Sequence, residues 1–262
     1  MMSSRLTALI TGASGGIGYD LAQSFAQDGY DLVLVARNEA KLRQIKTEWE
    51  ECYKIQIQVL AKDLMLAAVP QEIFETLCFK NISIDVLVND AGFGWKGNFA
   101  EMNSADIMEM IQVNITALTL LTRLFLPEML KRKSGKILNV ASTAAFQPGP
   151  EMAMYYASKA FVLSFSEALS EEVRGTGVSV TTLCPGPTNT NFQQRAKMAN
   201  TQLFRKMSVM DSKTVAAIGY RGLMKGKRVI IPGIVNKIGV WSTRFVSHAM
   251  LMKVVKFMHK EN

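Results

Sequence analysis

Tyr155 and Lys159 stand four residues apart in the stretch MYYASKA, residues 154–160. In a helix that spacing brings both side chains to one face. A phenol is a poor acid or base at neutral pH, since its unperturbed pKa is about 10. A neighbouring ammonium favours the phenolate and is expected to lower that value, which makes the pair a candidate general acid/base. Tyr156, three residues from the same lysine, is the weaker competitor. On its own the pattern fits better an ordinary helix with one surface lysine and two packed aromatics. It gains meaning only if the chain supplies a cofactor beside the phenol.

A candidate cofactor loop lies at the start of the chain, in TGASGGIG (11–18), directly after the strand-like run LTALI. Gly12, Gly16 and Gly18 let the backbone turn sharply and approach a pyrophosphate, and the helix opening near Gly16 offers free N–H groups to the anion. Gly12, Ser14, Gly16, Ile17 and Gly18 are therefore the phosphate-loop candidates. The second strand ends in VARN, with Ala36 and Arg37 where an acid would hold a free ribose 2′-hydroxyl. A guanidinium pairs instead with a 2′-phosphate, and Ser14 can add a hydroxyl, so NADP(H) is favoured over NAD(H). The alternative is that Arg37 is an ordinary surface charge.

The elements that must position these residues follow from periodicity. Apolar runs of strand length recur at 6–10, 32–36, 55–60, 84–89, 136–140, 178–183 and 228–231. Between them, 17–27, 39–51 and 104–132 carry apolar residues three or four apart. The expected fold class is α/β: a doubly wound Rossmann-type domain with about seven parallel strands and helices on both faces. With no repeat or Gly/Ser linker, residues 1–262 read as a single domain. Residues 186–213 are polar and weakly periodic, which suits a substrate flap.

Together the ordered motifs resemble the short-chain dehydrogenase/reductase family over nearly the whole chain. They are TGASGGIG, KDL (62–64), NDAG (89–92), Asn114 in QVN, Ser142 in NVAS, YYASK (155–159) and PGPTNT (185–190). VASTAAFQPGP with AFVLSFSEAL further resembles bacterial oxidoreductases of that family whose substrates are mostly unassigned. The resemblance implies hydride transfer between a nicotinamide and a carbonyl or alcohol. It implies Asp63 and Leu64 beside the adenine, and Asn89, Ala91 and Gly92 bordering the nucleotide. Pro185, Gly186 and Thr188 would line the nicotinamide, and Lys159 would bond the ribose hydroxyls beside Tyr155. Ser142 would hold the substrate oxygen near Tyr155, and Asn114 would hold a water linking Lys159 to solvent. One residue departs from the pattern: Asp90 replaces the usual second Asn of Asn-Asn-Ala-Gly, and a carboxylate can only accept hydrogen bonds unless protonated.

Gly94, Trp95, Phe146, Pro148 and the stretch 189–207 are the expected substrate-facing surface. Being apolar, they point to a medium-sized hydrophobic carbonyl compound rather than a sugar phosphate. The competing readings are a nucleotide sensor without chemistry and a membrane-surface scaffold. Degenerate sensors usually lose the tyrosine or lysine, whereas Asn114, Ser142, Tyr155 and Lys159 are all present here.

Composition limits the remaining options. A chain with 48% hydrophobic residues can build a sizeable core. Cys52, Cys78 and Cys184 are widely spaced and lack a CxxC pattern, which argues against disulfides and zinc. His248 and His259 leave the main body without imidazole, so histidine catalysis or metal ligation there is excluded. No cleavable signal is visible, and a cytoplasmic homodimer or homotetramer is expected. The net charge of +8 comes from residues 221–262, where nine Lys and Arg face one acid; no nucleic-acid module accompanies it. From Ile234, the residues Ile238, Trp241, Phe245, Met252 and Val255 recur at helical spacing among Lys237, Arg244, Lys253 and Lys256. This basic tail, 234–262, either covers the flap, packs on a second subunit, or attaches reversibly to an anionic membrane surface.

Overall fold

Strands buried on both faces need apolar side chains on alternate sides, and LTALI and LVLVA provide them. In the computed structural model, described over residues 5–190, 192–196, 201 and 209–259, these runs form β1 (Thr7–Thr11) and β2 (Asp31–Ala36). β3 (Ile57–Ala61), β4 (Val86–Asn89), β5 (Gly135–Val140), β6 (Val178–Leu183) and, after a flap excursion, β9 (Val229–Ile230) complete one sheet. Its order is β3-β2-β1-β4-β5-β6-β9, and every pairing is parallel. All seven expected strands are present. The order reverses between β1 and β4, which opens a crevice at their carboxyl ends.

Alternation along β1 shows how the layers are built. Ile10 points into a core shared with α1 (Gly16–Gln27), α2 (Glu39–Tyr53) and α8 (Ser212–Met224), through Phe25, Trp49 and Leu223. Leu9 points to the opposite core, formed with α3 (Val69–Phe79), α5 (Leu118–Arg132) and α6 (Ala153–Glu172), through Ile73, Leu121 and Leu169. Both residues are fully buried.

Two features depart from the periodicity. The helical stretch 104–132 is continuous but not uniform: α4 (Ser104–Ile111) passes into a π-helical segment, Gln112–Ala117, before α5 begins. The expected flap contains a two-stranded parallel ribbon, β7 (Thr188–Asn189) with β8 (Met210–Asp211), and the short α7 (Phe192–Arg195). Residues 191, 197–200 and 202–208 of that flap lie outside the described residues.

The tail forms two helices, α9 (Ile234–Ser242) and α10 (His248–His259), rather than one. Residues 243–247 make the bend between them.

Close packing at the first turn of α1 fixes the crevice. A Cβ on Gly18 would lie 2.5 Å from Asp90 Oδ2 and 2.7 Å from the Gly12 carbonyl oxygen. Backbone on one side and a buried carboxyl on the other leave little room to yield. Gly18→Ala is expected to destabilise the fold by about 1–3 kcal/mol, as overpacking does. The measurement is the urea midpoint, and an unchanged midpoint would contradict the contact.

Candidate active site

The crevice is the mouth of a cavity of about 740 Å³ that runs from Arg37 to the tail helices. At its centre lies the glycine-rich loop. Gly12 has φ +73° and Gly16 has φ +59°, both in the left-handed region that favours glycine. A Cβ on Gly12 would meet Asp90 Oδ2 at 2.9 Å and Ala91 N at 3.1 Å. Gly15 caps α1 without a side-chain hydrogen bond, no acid stands in the first turn, and nothing lies within 4 Å of its Cβ position. The helix N-terminus is thus free to receive a phosphate, and the residues fit a dinucleotide.

At one end of the cavity, Ser14, Arg37, Asn38, Lys62, Asp63 and Leu64 line the wall. Arg37 is half-exposed, with NH1 3.9 Å from Asp63 Oδ2. Asp63 Oδ1 also accepts from the Met65 N–H at 3.0 Å, which fixes the carboxylate.

At the other end the structure brings Ser142, Tyr155 and Lys159 together. Ser142 follows β5; its hydroxyl accepts from Ala144 N at 3.1 Å, donates to Pro185 O at 3.4 Å, and lies near enough to the Tyr155 phenol to favour its ionised form. Lys159 is buried, donates from Nζ to Val140 O at 2.8 Å, and lies 5.8 Å from the Tyr155 ring centre. Phe192 of α7 packs on the same ring, 5.2 Å between centres. Ala91, Gly92, Pro185, Gly186 and Thr188 border this end. Asn114 sits in the π-helical segment, a form frequent at functional sites. Its Nδ2 donates to Phe93 O and Ser158 Oγ, and its Oδ1 accepts from Phe93 N. A Cβ on Gly92 would lie 3.1 Å from Asn114 Oδ1 and 3.4 Å from Lys159 Nζ, so the three meet in one layer.

The sequence profile of the family described as short chain dehydrogenase matches residues 6–232. The chain belongs to the short-chain dehydrogenase family. Over 182 residues it is 35% identical to the very-long-chain 3-oxoacyl-CoA reductase of Bos taurus, a match covering 68% of this chain and 58% of that protein. The chain thus spans under two thirds of the length of that relative. A short-chain dehydrogenase from Sphingobium yanoikuyae in complex with NADPH is 30% identical, with TM-score 0.82 and 95% of each chain covered. The bulky-bulky ketone specific alcohol dehydrogenase from Comamonas testosteroni is 30% identical, with TM-score 0.79 and coverage of 96% and 95%.

Several expected site residues lie elsewhere in this short-chain dehydrogenase. Asn89 does not reach the cavity: it is buried, and its Nδ2 donates to Thr122 Oγ1 at 3.2 Å and Asn139 Oδ1 at 2.9 Å. Gly18 is also absent from the wall and acts by letting α1 pack. Ile17 does line it. Of the expected substrate-facing residues, Phe146 packs beneath α6 with Leu118 and Val162, and Pro148 is exposed. Trp95 borders a separate small hollow with Phe99 and Met102. Gly94 stays close, its Cβ position 3.2 Å from the Tyr155 ring. Thr190 and Phe192 of the expected stretch 189–207 do line the cavity, and the rest of the apolar wall comes from Met152 and the tail helices, through Val240, Leu251, Val254, Val255 and Met258.

The tail also brings a histidine against the main body. His259 is fully buried; its Nε2 lies 3.0 Å from the Tyr156 hydroxyl and its Nδ1 2.9 Å from Pro150 O. Burial holds its pKa below the ordinary value, which favours the neutral ring. Tyr156 is thereby committed to the tail, and Tyr155 alone faces Ser142. Asn236 of α9 sits against Gly186, at a distance that leaves no space for a Cβ there.

Electrostatics differ from the simple expectation as well. Burial pushes the Tyr155 phenol up to about 12, with only the Ser142 hydrogen bond pulling it back. Desolvation dominates and Lys159 does not act on the phenol's acidity, so the expected lowering by its ammonium is not seen. Burial also takes Lys159 down to about 8, against the opposing pull of the Asp90 carboxylate. Asp90 is raised to about 7 by burial, while Lys159 and the Gly18 N–H lower it. Asp90 therefore acts where an amide could not: it adds charge beside Lys159. Removing it in Asp90→Asn should lower the Lys159 pKa below about 8, because the ammonium loses its only favourable buried carboxylate. NMR titration of ε-carbon-labelled lysine, with and without the substitution, measures this. An unmoved titration would show that the two groups do not interact.

Proposed function

We propose that this short-chain dehydrogenase is an NADP(H)-dependent carbonyl reductase for an apolar ketone, with Tyr155 as proton donor. The observation that carries the reading is the Ser142–Tyr155–Lys159 cluster at one end of a dinucleotide-sized cavity whose opposite end holds Arg37. The loop Gly12–Gly18 would hold the pyrophosphate, Ser14 and Arg37 the 2′-phosphate, Asp63 and Leu64 the adenine side. Lys159, Pro185, Gly186 and Thr188 would hold the nicotinamide side. A bound nicotinamide supplies the hydride.

This chain's own residues supply the rest. The Ser142 hydroxyl and the Tyr155 phenol converge on the position of a carbonyl oxygen, where they stabilise the negative charge that develops on it. At a pKa of about 12 the phenol is protonated throughout the neutral range, the state required of a donor. The proton moves from Tyr155 Oη to the forming alkoxide, and the Lys159 ammonium stabilises the phenolate left behind. Because the Asn114 side chain is engaged with Phe93 and Ser158, a proton-relay water near it would use its second Oδ1 lone pair or its backbone carbonyl. Phe192, Met152 and the tail helices exclude bulk water and favour a hydrophobic substrate. The keto-acyl and bulky-ketone activities named for the relatives support an apolar keto substrate. A sensor without chemistry is disfavoured by the complete cluster. Exposed Leu120 on α5 and Phe161 on α6 offer a face for the expected homodimer or homotetramer.

Tyr155→Phe keeps the ring and removes the donor, so turnover of a bulky ketone should fall at least about a hundredfold while NADPH binding persists. Tyr156→Phe should retain most activity. A reversal of those two outcomes, read by NADPH absorbance, would place the acid on the wrong tyrosine.

Cofactor choice has its own test. NADPH should bind more tightly than NADH, and Arg37→Glu should erase or invert the preference, because a carboxylate repels the 2′-phosphate and accepts from a free 2′-hydroxyl. Fluorescence titration of both nucleotides checks it; equal affinities in the unaltered chain would refute the assignment.

A further inference from the structure

The two tail helices have an inner side and an outer side with different chemistry. Inward, Val240, Leu251, Val255 and Met258 wall the cavity, and His259 ties the end of α10 to Tyr156. Outward, Ile234, Ile238, Trp241, Phe245, Met250 and Met252 are exposed, from 40% for Met252 to 70% for Phe245. Trp241 and Phe245 pack on one another across the bend, with ring centres 4.5 Å apart, so the aromatic pair is held at the surface. Lys237, Lys253 and Lys256 on the same two helices, and Arg244 in the bend between them, are exposed. None of the four has an ion-pair partner among the described residues. The sequence between Asp211 and Glu261 contains no acidic residue at all.

A soluble chain gains nothing from keeping so many large apolar side chains in water unless something covers them. The cations decide what that is. A second copy docked symmetrically would set this patch against itself, placing four cations against four with no carboxylate to separate them. A nucleic acid would match the charge but leave Ile238, Trp241 and Met250 in water. An anionic lipid surface satisfies both: headgroups take the Lys and Arg, and the acyl boundary takes the apolar side chains.

We infer that the outer face of α9 and α10 docks reversibly on an anionic membrane surface, inserting Trp241, Phe245 and their aliphatic neighbours shallowly. The attachment is peripheral, because the two helices have 9 and 12 residues and neither reaches the length of about 20 that a span requires. It requires neither the cofactor nor the reduction proposed above, and stands or falls separately from them.

The test uses the full chain and vesicles of phosphatidylcholine, with and without phosphatidylserine, at low and high salt. Co-sedimentation is expected only with the phosphatidylserine vesicles and should weaken at high salt. Combined Lys237→Gln, Lys253→Gln and Lys256→Gln should lower partitioning about a hundredfold, since each cation near such a surface contributes about fivefold. Trp241→Ser with Phe245→Ser should weaken binding while keeping its salt dependence. Circular dichroism and NADPH binding of each variant establish that the fold is retained, and the charge variants, altered only at exposed positions, serve if the aromatic pair fails to fold. A chain that stays in the supernatant with both vesicles overturns the proposal. So does equal binding to both, or a dimer on sedimentation equilibrium that Trp241→Ser with Phe245→Ser dissolves, which would assign the face to a second copy.

Discussion

Thr11 ends β1, and its hydroxyl accepts from the backbone N–H groups of both Asp90 and Ala91, at 3.1 Å each, while donating to Val88 O at 3.3 Å. One buried side chain thus ties the carboxyl end of β1 to that of β4, the two strands between which the sheet order reverses. The glycine-rich loop leaves from one of these ends and the Asp90–Gly92 segment from the other. Their separation determines whether Asp90 can wedge between Gly12 and Gly18, and whether Gly92 can lie against Lys159. The glycine-rich loop and the Ser142–Tyr155–Lys159 cluster are placed relative to each other through this junction.

Burial governs the chemistry at both ends of the junction. In water, an ammonium one helical turn from a phenol would dominate its acidity. Here the surrounding protein removes water from Tyr155, Lys159 and Asp90 together, so each is driven towards its neutral form. The Asp90 carboxyl and the Lys159 ammonium partly restore one another, whereas the pKa of the resting phenol is pulled back by the Ser142 hydroxyl alone. That asymmetry leaves Lys159 and Asp90 titrating near neutrality while Tyr155 stays protonated.

Local pattern made the sheet legible in the sequence: period-two apolar runs, glycines after the first strand and the Tyr-x-x-x-Lys spacing are all short-range signals. All seven main strands and the sharp glycine-rich turn follow from them. What eluded the sequence depends on contacts distant along the chain. His259 meets Tyr156 across 103 residues, and no spacing rule reaches that far. Asn89 carries a motif position yet turns into the polar network with Asn139 and Thr122, because β4 and β5 pair side by side there. Phe146 and Pro148 follow Ser142 closely, but the short helical turn at Thr143–Phe146 rotates Phe146 into the core. The tail's apolar spacing was visible and left covering the flap as one of three readings; which residues wall the cavity was not visible, since that follows from the bend at 243–247.

The π-helical segment around Asn114 has a consequence for how the long helix is phased. Each turn of that kind takes up about one more residue than an α-turn, which offsets everything downstream by about 100° around the helix axis. Upstream of it Met110 is buried; downstream Leu121, Phe125 and Met129 pack into the core facing the sheet. Asn114 can therefore reach Phe93 and Ser158 without dragging the following stripe off the sheet. Deleting a single residue between 112 and 117 would restore a regular helix with that stripe still on the sheet, and what would be lost is the local widening from which Asn114 reaches Phe93 and Ser158.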